Sequence, residues 1–200
     1  MTPPDSTSAL AHAAAPPVTR DAVTGLPDRA SFSALTHWHC ALAAQTETGL
    51  AVLAVIWDQA AAMRATFSPA LWDAARAALA GRLRGGICRG GDTLGDLGGG
   101  VVGALLPFTD AAGAGAVARR WLGLITPAPD TAGHHQAILP AGARLALTGS
   151  LSIGIASYGG RGQVDAARLI EAAERACETA HVDGGNKAVR RDVALAPARP

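Results

Sequence analysis

Residues 89–102, with the sequence RGGDTLGDLGGGVV, are the most informative stretch of this chain. Strand-like pieces between positions 87 and 107 flank three consecutive glycines, Gly98 to Gly100. Because glycine adopts the positive φ angles that tight hairpin turns require, the pattern predicts a β-hairpin. An arginine and an aspartate that bracket two glycines, Arg89 and Asp92, lie at the start of this hairpin and away from its turn. The stretch therefore combines a tight turn with a separate pair of opposite charges.

Helical and strand patterns alternate on both sides of the hairpin. Upstream, apolar spacing and end signals predict a helix over 28–45, a strand buried on both faces over 50–57, and a helix over 68–85. Downstream they predict a helix over 109–124, a long surface loop over 126–142, strands over 143–147 and 151–156, a helix over 165–184 and a short strand over 187–193. This order favours an α/β sandwich with a mixed sheet, and the pattern alone leaves the topology open.

The composition is that of an ordinary globular domain. The chain has 200 residues, of which 49% are hydrophobic and 16% charged, and this is enough for one domain with a substantial core. The two ends are rich in proline and small residues, which cannot bury enough surface to offset the entropy of ordering them. We therefore expect a flexible tail over 1–20, the domain over 21–191 and a second tail over 192–200.

The charge and the cysteines limit the partners and the compartment. A net charge of +1 creates no long-range field that would gather nucleic acid or an anionic membrane, so an anionic ligand needs a local site. No apolar stretch is long enough to cross a bilayer, and no secretory leader pattern opens the chain. The three cysteines are far apart and odd in number, which favours free thiols. We expect a cytoplasmic protein with no membrane insertion and no nucleic-acid partner.

Five motifs occur in order along residues 21–190. They are DAVTGLPDR at 21–29, RGGD at 89–92, PFTD at 107–110, SIGIA at 152–156 and GGN at 184–186. In type and spacing they resemble the motifs of the GGDEF family, whose members make the bacterial messenger cyclic di-GMP. The resemblance implies a nucleotidyl-cyclase-like α/β sandwich, with a mixed, mostly antiparallel five-stranded sheet wrapped by helices.

The same resemblance marks the positions at which the family carries out catalysis. Family members hold magnesium with the first Asp of an Asp-x-Asp-x-Phe-Lys motif and with acidic residues in a Gly-Gly-Asp/Glu-Glu-Phe turn. This chain has Ile56 at the first of these positions, and its turn reads Gly98-Gly99-Gly100-Val101-Val102. Because magnesium takes oxygen ligands, these positions offer it none. We expect no metal site, no catalytic residue and no magnesium cofactor, and therefore a protein that is not an enzyme.

Other nucleotide-binding positions implied by the resemblance differ as well. Asp58 fills the second Asp of the strand-end motif, which is not the family's main metal ligand, and we interpret it as a strand-end or helix-cap residue. The motif's Lys, the guanine-recognising Asn and two triphosphate-binding residues are replaced by Ala61, Arg64, His181 and Gly185. Asp73 matches the family's other guanine-contacting acid. With its companions gone, Asp73 is interpreted as a polar helix residue.

The Arg-x-x-Asp pair is retained. In the family this pair binds the product at an inhibitory site, which an arginine on the helix after the hairpin completes; Arg89, Asp92 and Arg120 match those positions. The fork of an arginine can donate two hydrogen bonds to O6 and N7 of guanine, and a carboxylate can accept from its N1 and N2 hydrogens. The alternative is an ordinary surface ion pair between Arg89 and Asp92, worth under about 1 kcal/mol.

These observations lead to one hypothesis and two alternatives. The hypothesis is a catalytically inactive GGDEF-like domain that binds cyclic di-GMP as an effector and signals through a protein partner or a second copy of the chain. The first alternative is a scaffold for dimerisation or docking that needs no ligand. The second is a residual diguanylate cyclase or a GTP-binding regulator.

Overall fold

The computed structural model describes residues 14–87, 89–125, 136–138, 144–146 and 149–193. Its helices are α1 (Arg29–Thr46), α2 (Ala60–Thr66), α3 (Pro69–Gly85), α4 (Ala111–Ile125) and α5 (Ala166–Val182). Its strands are β1 (Leu50–Trp57), β2 (Thr93–Gly98), β3 (Val101–Pro107), β4 (Gln136–Ile138), β5 (Arg144–Ala146), β6 (Leu151–Tyr158) and β7 (Lys187–Asp192). None of the helices in these residues combines the length and the apolar character needed to cross a bilayer.

The main sheet has five strands in the order β2-β3-β1-β6-β7. Strand β1 lies at its centre and pairs antiparallel with β3 and with β6, so that Leu50 faces Pro107 on one side and Tyr158 on the other. Strand β7 runs parallel to β6 at one edge. Strands β4 and β5 form a separate antiparallel pair. The expected α/β fold with a mixed, mostly antiparallel five-stranded sheet is therefore confirmed.

Helices cover both faces of the sheet, which explains the continuous apolar sequence of β1. Alternate β1 side chains point to opposite faces. Leu53 packs in a core with Leu79 of α3 and Trp121 of α4. Val52 packs in a second core with Phe32 of α1 and Leu169 of α5. A strand between two helical layers has no polar face, as the sequence predicts.

Local end signals fix where the helices begin. The Asp28 carboxylate accepts a hydrogen bond from the Ser31 N–H at the start of α1. Ser68 Oγ accepts a hydrogen bond from the Leu71 N–H at the start of α3, and Pro69 occupies the first turn of that helix. The Asp165 carboxylate accepts from the Ala167 N–H at the start of α5. These caps satisfy backbone donors that have no partner inside the helix.

Two elements were not predicted. Helix α2 is short, and Ala60 is its only buried residue, so it shows no apolar face from which sequence periodicity could predict it. Strand β4 falls inside the predicted loop over 126–142, whose other residues lie outside the described ones. Three-residue strands such as β4 carry too few residues for an alternating pattern to stand out.

Two residues of the predicted N-terminal tail contact the domain, and two of the three cysteines are buried in it. Residues 1–13 and 194–200 lie outside the described ones, as does Cys88. Within the predicted N-terminal tail, the Thr19 N–H donates to Ser31 Oγ at 2.8 Å, and Arg20 pairs with Pro27 in an isolated bridge. Cys40 and Cys177 are free and buried, and burial raises the pKa of each thiol to about 12. Both are therefore packing residues.

Candidate functional site

The turn between α3 and β2, residues 86–92, carries the retained charge pair. The Asp92 N–H donates to the Arg89 carbonyl at 3.1 Å and closes the turn. The exposed Arg89 side chain reaches toward the start of α4, where its Nη1 lies 3.4 Å from both the Phe108 carbonyl oxygen and Thr109 Oγ1. Among the described residues, the ion pairs do not include one between Arg89 and Asp92. The alternative of a simple surface ion pair is therefore not the arrangement found.

Asp92 is half-buried at the end of this turn. Burial raises the pKa of its carboxyl group above the ordinary value, and a backbone hydrogen bond from Arg89 and the charge of Arg89 offset this only in part. A desolvated carboxylate gains more from a new hydrogen-bond donor than one in water does. Asp92 is thus suited to accept hydrogen bonds from a ligand that reaches the turn.

Arg120 lies on the other side of the same turn. Its Nη1 donates to the Gly86 carbonyl oxygen at 2.7 Å. Gly86 is the residue that ends α3, so Arg120 places its positive charge at the negative end of that helix. The structure thus brings Arg120 to the first residue of the short turn that carries Arg89. Sequence reasoning did not foresee the hydrogen bond between Arg120 and Gly86.

The two glycines of the turn face open space. Gly90 and Gly91 are both exposed, and a Cβ added at either position would meet no atom within 4 Å. Neither glycine has a positive φ, so crowding and backbone strain do not explain why glycine occupies these positions. Their lack of side chains leaves the turn accessible to a ligand that approaches the backbone.

Phe108 lies beside Arg89 and fills the variable position of the PFTD motif at 107–110. Its backbone has a φ of 52°, in the left-handed region that phenylalanine rarely adopts. Its residue surface is 60% exposed, although it is a large apolar residue. The signal available in the sequence was an aromatic residue in the turn between a buried strand and a helix N-terminus.

A second region surrounds the hairpin turn. Gly98, Gly99 and Gly100 have φ values of 84°, 65° and 90°, which confirms the prediction that this turn depends on glycine. Next to it is a groove of about 330 Å³. The groove is lined by Ile56, Val101, Glu171, Glu174, Arg175, Cys177 and Glu178.

The groove is lined by aliphatic and charged side chains. Ile56 and Val101 present aliphatic groups, whereas magnesium requires oxygen ligands. The three glutamates line the same groove, and Glu174 is held by Arg29 through two hydrogen bonds of 2.7 and 3.0 Å. No group of three His, Cys, Asp or Glu side chains in the described part of the chain could hold a metal ion. The guanidinium of Arg175, which also lines the groove, is paired with the Glu171 carboxylate.

Asp73 lies in a network of charges around Arg76. The Arg76 guanidinium donates to the buried Asp96 carboxylate at 2.7 Å and lies 3.5 Å from both Asp73 and Asp21. The other oxygen of Asp96 accepts from the Gly98 N–H at 2.7 Å. This network fixes the base of the hairpin turn, and Asp73 is its most exposed carboxylate.

Asp58 joins four elements of the fold. Its carboxylate accepts hydrogen bonds from Ser150 Oγ and Ser152 Oγ at 2.5 Å each, from His181 Nδ1 at 2.9 Å and from the Asn186 N–H at 3.0 Å. Burial disfavours the ionised form, but these hydrogen bonds outweigh it and hold the pKa of Asp58 below its ordinary value. A Cβ at Gly185 would lie 2.6 Å from this carboxylate. These contacts support the interpretation of Asp58 as a strand-end residue that ties β1 to β6, α5 and β7.

The lowered pKa of Asp58 predicts a loss of stability in acid. A carboxyl group with a lower pKa in the folded state stabilises the fold above its unfolded pKa of about 3.9, and this contribution disappears as pH falls through the folded value. Asp58→Asn should lower the free energy of unfolding at pH 7 by about 1–3 kcal/mol, and by less at pH 3. Urea unfolding at the two pH values measures the difference. An equal loss at both pH values, or a similar effect of Asp73→Asn, would contradict this role.

Comparison with known proteins gives one family and many related structures. Residues 18–187 match the family model described as diguanylate cyclase, GGDEF domain. The GGDEF domain of PA1120 (TpbB or YfiN) from Pseudomonas aeruginosa has a similar structure, with a TM-score of 0.72 and 26% identity over 88% of this chain and 95% of that one. A comparison with curated proteins finds no match.

Two further solved structures share the fold at lower identity. The GGDEF domain of DgcB from Caulobacter crescentus, solved in complex with c-di-GMP, has a TM-score of 0.69 and 17% identity over 90% of this chain and 96% of that one. Diguanylate cyclase SiaD from Pseudomonas aeruginosa, solved in complex with its activator SiaC, has a TM-score of 0.71 and 20% identity over 86% of this chain and 61% of that one.

Proposed function

Since this chain belongs to the GGDEF family, we propose that it is a catalytically inactive member that binds cyclic di-GMP and acts as an effector. The observation that carries the proposal is the open turn over residues 86–92. It places the exposed Arg89 and the half-buried Asp92 beside two glycines that face open space.

The groups of this turn suit the edges of guanine. Arg89 donates two parallel hydrogen bonds to O6 and N7, and Asp92 accepts from N1 and N2 on the opposite edge. The present contacts of Arg89, at 3.4 Å to Phe108 and Thr109, are long, so the ligand can replace them at little cost. Arg120 adds positive charge at the other end of the turn for the phosphates.

The loss of catalysis follows from the groove at the hairpin turn. Condensation of two GTP molecules into cyclic di-GMP, with release of pyrophosphate, needs metal ions and cations that neutralise the charge developing on the triphosphate. Ile56 and Val101 supply no ligand for a metal ion, and the three glutamates of the groove outnumber its one arginine, Arg175, which disfavours a triphosphate there. The chain therefore holds the messenger without making it.

The solved relatives support binding and partnership as activities of this fold. The DgcB domain was solved with c-di-GMP, and SiaD was solved with a protein activator. We propose by analogy that occupancy of the Arg89 turn changes how this chain contacts a protein partner or a second copy of itself.

Two measurements on the purified chain test this function together. Calorimetric titration with cyclic di-GMP should show binding in the micromolar range or tighter. Incubation with GTP and magnesium, followed by chromatography, should yield no cyclic di-GMP, because Ile56 and the turn residues at Gly100 and Val101 offer a metal ion no oxygen ligand from their side chains. An active family member assayed in parallel is the control. Absence of binding heat at high micromolar ligand would defeat the effector proposal, and appreciable product would defeat the claim of inactivity.

One observation favours the scaffold as a second candidate. Both arginines of the turn already donate to protein groups, Arg89 to the start of α4 and Arg120 to the end of α3. They could serve only to hold α3 and α4 together. Partner binding that is equal with and without cyclic di-GMP would favour the scaffold, whereas a nucleotide-dependent affinity would favour the effector.

A further inference from the structure

Phe108 keeps an unfavourable conformation and an unfavourable exposure at the same time. A left-handed backbone is unfavourable for a residue with a side chain, because its Cβ comes too close to the following carbonyl oxygen. Glycine or asparagine would adopt the φ of 52° at lower cost. Burial of the side chain does not offset this cost, since the residue is 60% exposed and belongs to neither hydrophobic core.

Local packing explains Phe108 only in part. It borders a shallow crevice with His39 and Leu42 of α1. Pro107, just before it, ends β3 and is buried, and Thr109, just after it, is buried as well. The chain therefore turns outward for this one residue between two buried neighbours. Strain of this kind persists where the surroundings enforce it, and it is concentrated at functional sites.

The position of Phe108 connects it to the charge pair. The Phe108 carbonyl oxygen lies 3.4 Å from Arg89 Nη1, so the backbone of this aromatic residue lies next to the guanidinium. When Arg89 and Asp92 hydrogen-bond to the edges of a planar base, its faces stay open, and a nearby aromatic ring can contact one of them. Stacking between a base and an aromatic ring suits any purine, whereas the hydrogen bonds at the edges select guanine.

We propose that Phe108 stacks on a guanine base of the bound dinucleotide while Arg89 and Asp92 read its edges. This inference rests on the proposed function and adds a fourth binding residue to Arg89, Asp92 and Arg120. The ring supplies affinity that is insensitive to salt, and the charges supply selectivity.

Substitutions that separate the aromatic face from the apolar bulk test this role. Phe108→Leu keeps an apolar side chain in the same left-handed conformation but removes the aromatic face, and it should weaken cyclic di-GMP binding about tenfold. Phe108→Tyr keeps the face and should bind within about twofold of the unsubstituted chain. Val182→Ala shortens another exposed apolar side chain, on α5, and should leave the affinity unchanged. Thermal unfolding of each variant establishes that it is folded.

The outcomes separate this inference from the proposed function. Binding by the unsubstituted chain together with full affinity in Phe108→Leu would overturn the stacking role alone. A loss in Phe108→Tyr as large as that in Phe108→Leu would overturn it as well. Absence of binding by the unsubstituted chain would overturn the proposed function and the stacking role with it. The pattern of a weak Leu variant and strong Tyr and Val182→Ala variants supports the stacking.

Discussion

Replacement of Gly154 by alanine is expected to lower the free energy of unfolding by about 3–5 kcal/mol, the largest effect of any single substitution considered for stability. Gly154 lies in the middle of β6, between Ala54 of β1 and Val189 of β7. A Cβ at this position would lie 1.9 Å from the Ala173 carbonyl oxygen and 2.3 Å from the Cys177 N atom. Both atoms belong to the backbone of α5, which cannot move away without separating the helix from the sheet.

Gly81→Ala is the matched control for this substitution. Gly81 lies in α3, where an added Cβ meets no atom within 4 Å. Alanine is favoured over glycine inside a helix by up to about 1 kcal/mol, so this variant should be slightly more stable than the unsubstituted chain. Urea unfolding followed by circular dichroism measures both variants. A Gly154→Ala variant as stable as the unsubstituted chain would show that α5 does not lie directly on β6.

Arg89→Ala is expected to weaken cyclic di-GMP binding about 100-fold or more. The variant removes two charge-assisted hydrogen bonds to guanine, which are worth about 3 kcal/mol together after solvation is counted. It also removes the positive charge that lowers the pKa of the half-buried Asp92. The fold should be unaffected, because the side chain is exposed and its two contacts to protein are long. Calorimetric titration gives the affinity directly.

Arg168→Ala provides the control for charge in this titration. Arg168 is exposed on α5, which contributes to the core that contains Phe32. The turn over residues 86–92 follows α3, which contributes to the core on the other face of the sheet. The substitution removes one positive charge from the other side of the sheet. The affinity of this variant for cyclic di-GMP should therefore stay within about twofold of that of the unsubstituted chain, as expected for a screened surface charge. Equal losses in Arg89→Ala and Arg168→Ala would mean that general electrostatic attraction, and not the turn, holds the nucleotide.

Much of the fold follows from patterns that are local in the sequence. The apolar run over 50–57 predicts a strand covered on both faces, and β1 is that strand. Ser68 and Pro69 predict the start of α3, and the three glycines predict the hairpin turn. In each case the physical cause lies within a few residues of its effect. The mixed, mostly antiparallel five-stranded sheet was implied by the family resemblance, and the order of its strands was not predicted, because pairing partners such as Leu53 and Ile155 are distant in sequence.

The features that sequence reasoning missed depend on contacts between distant residues. Gly154 is recognisable as part of the SIGIA motif, but the close approach of α5 that requires it is visible only in the packed structure. Arg76 holds Asp96 twenty positions away, and Arg120 caps α3 through Gly86. In the sequence, Phe108 simply follows the apolar run that ends at Pro107. Its exposure and its left-handed backbone are visible only in the structure. Periodicity cannot reveal such contacts, because each depends on where two elements meet.

The most direct test of the account is a crystal structure of this chain with cyclic di-GMP. We predict electron density for a guanine base in the turn over residues 86–92, with its edges on Arg89 and Asp92 and a phosphate on the side of Arg120. Density for the dinucleotide in the groove between Ile56 and Val101, or at any site without Arg89 and Asp92, would contradict the account.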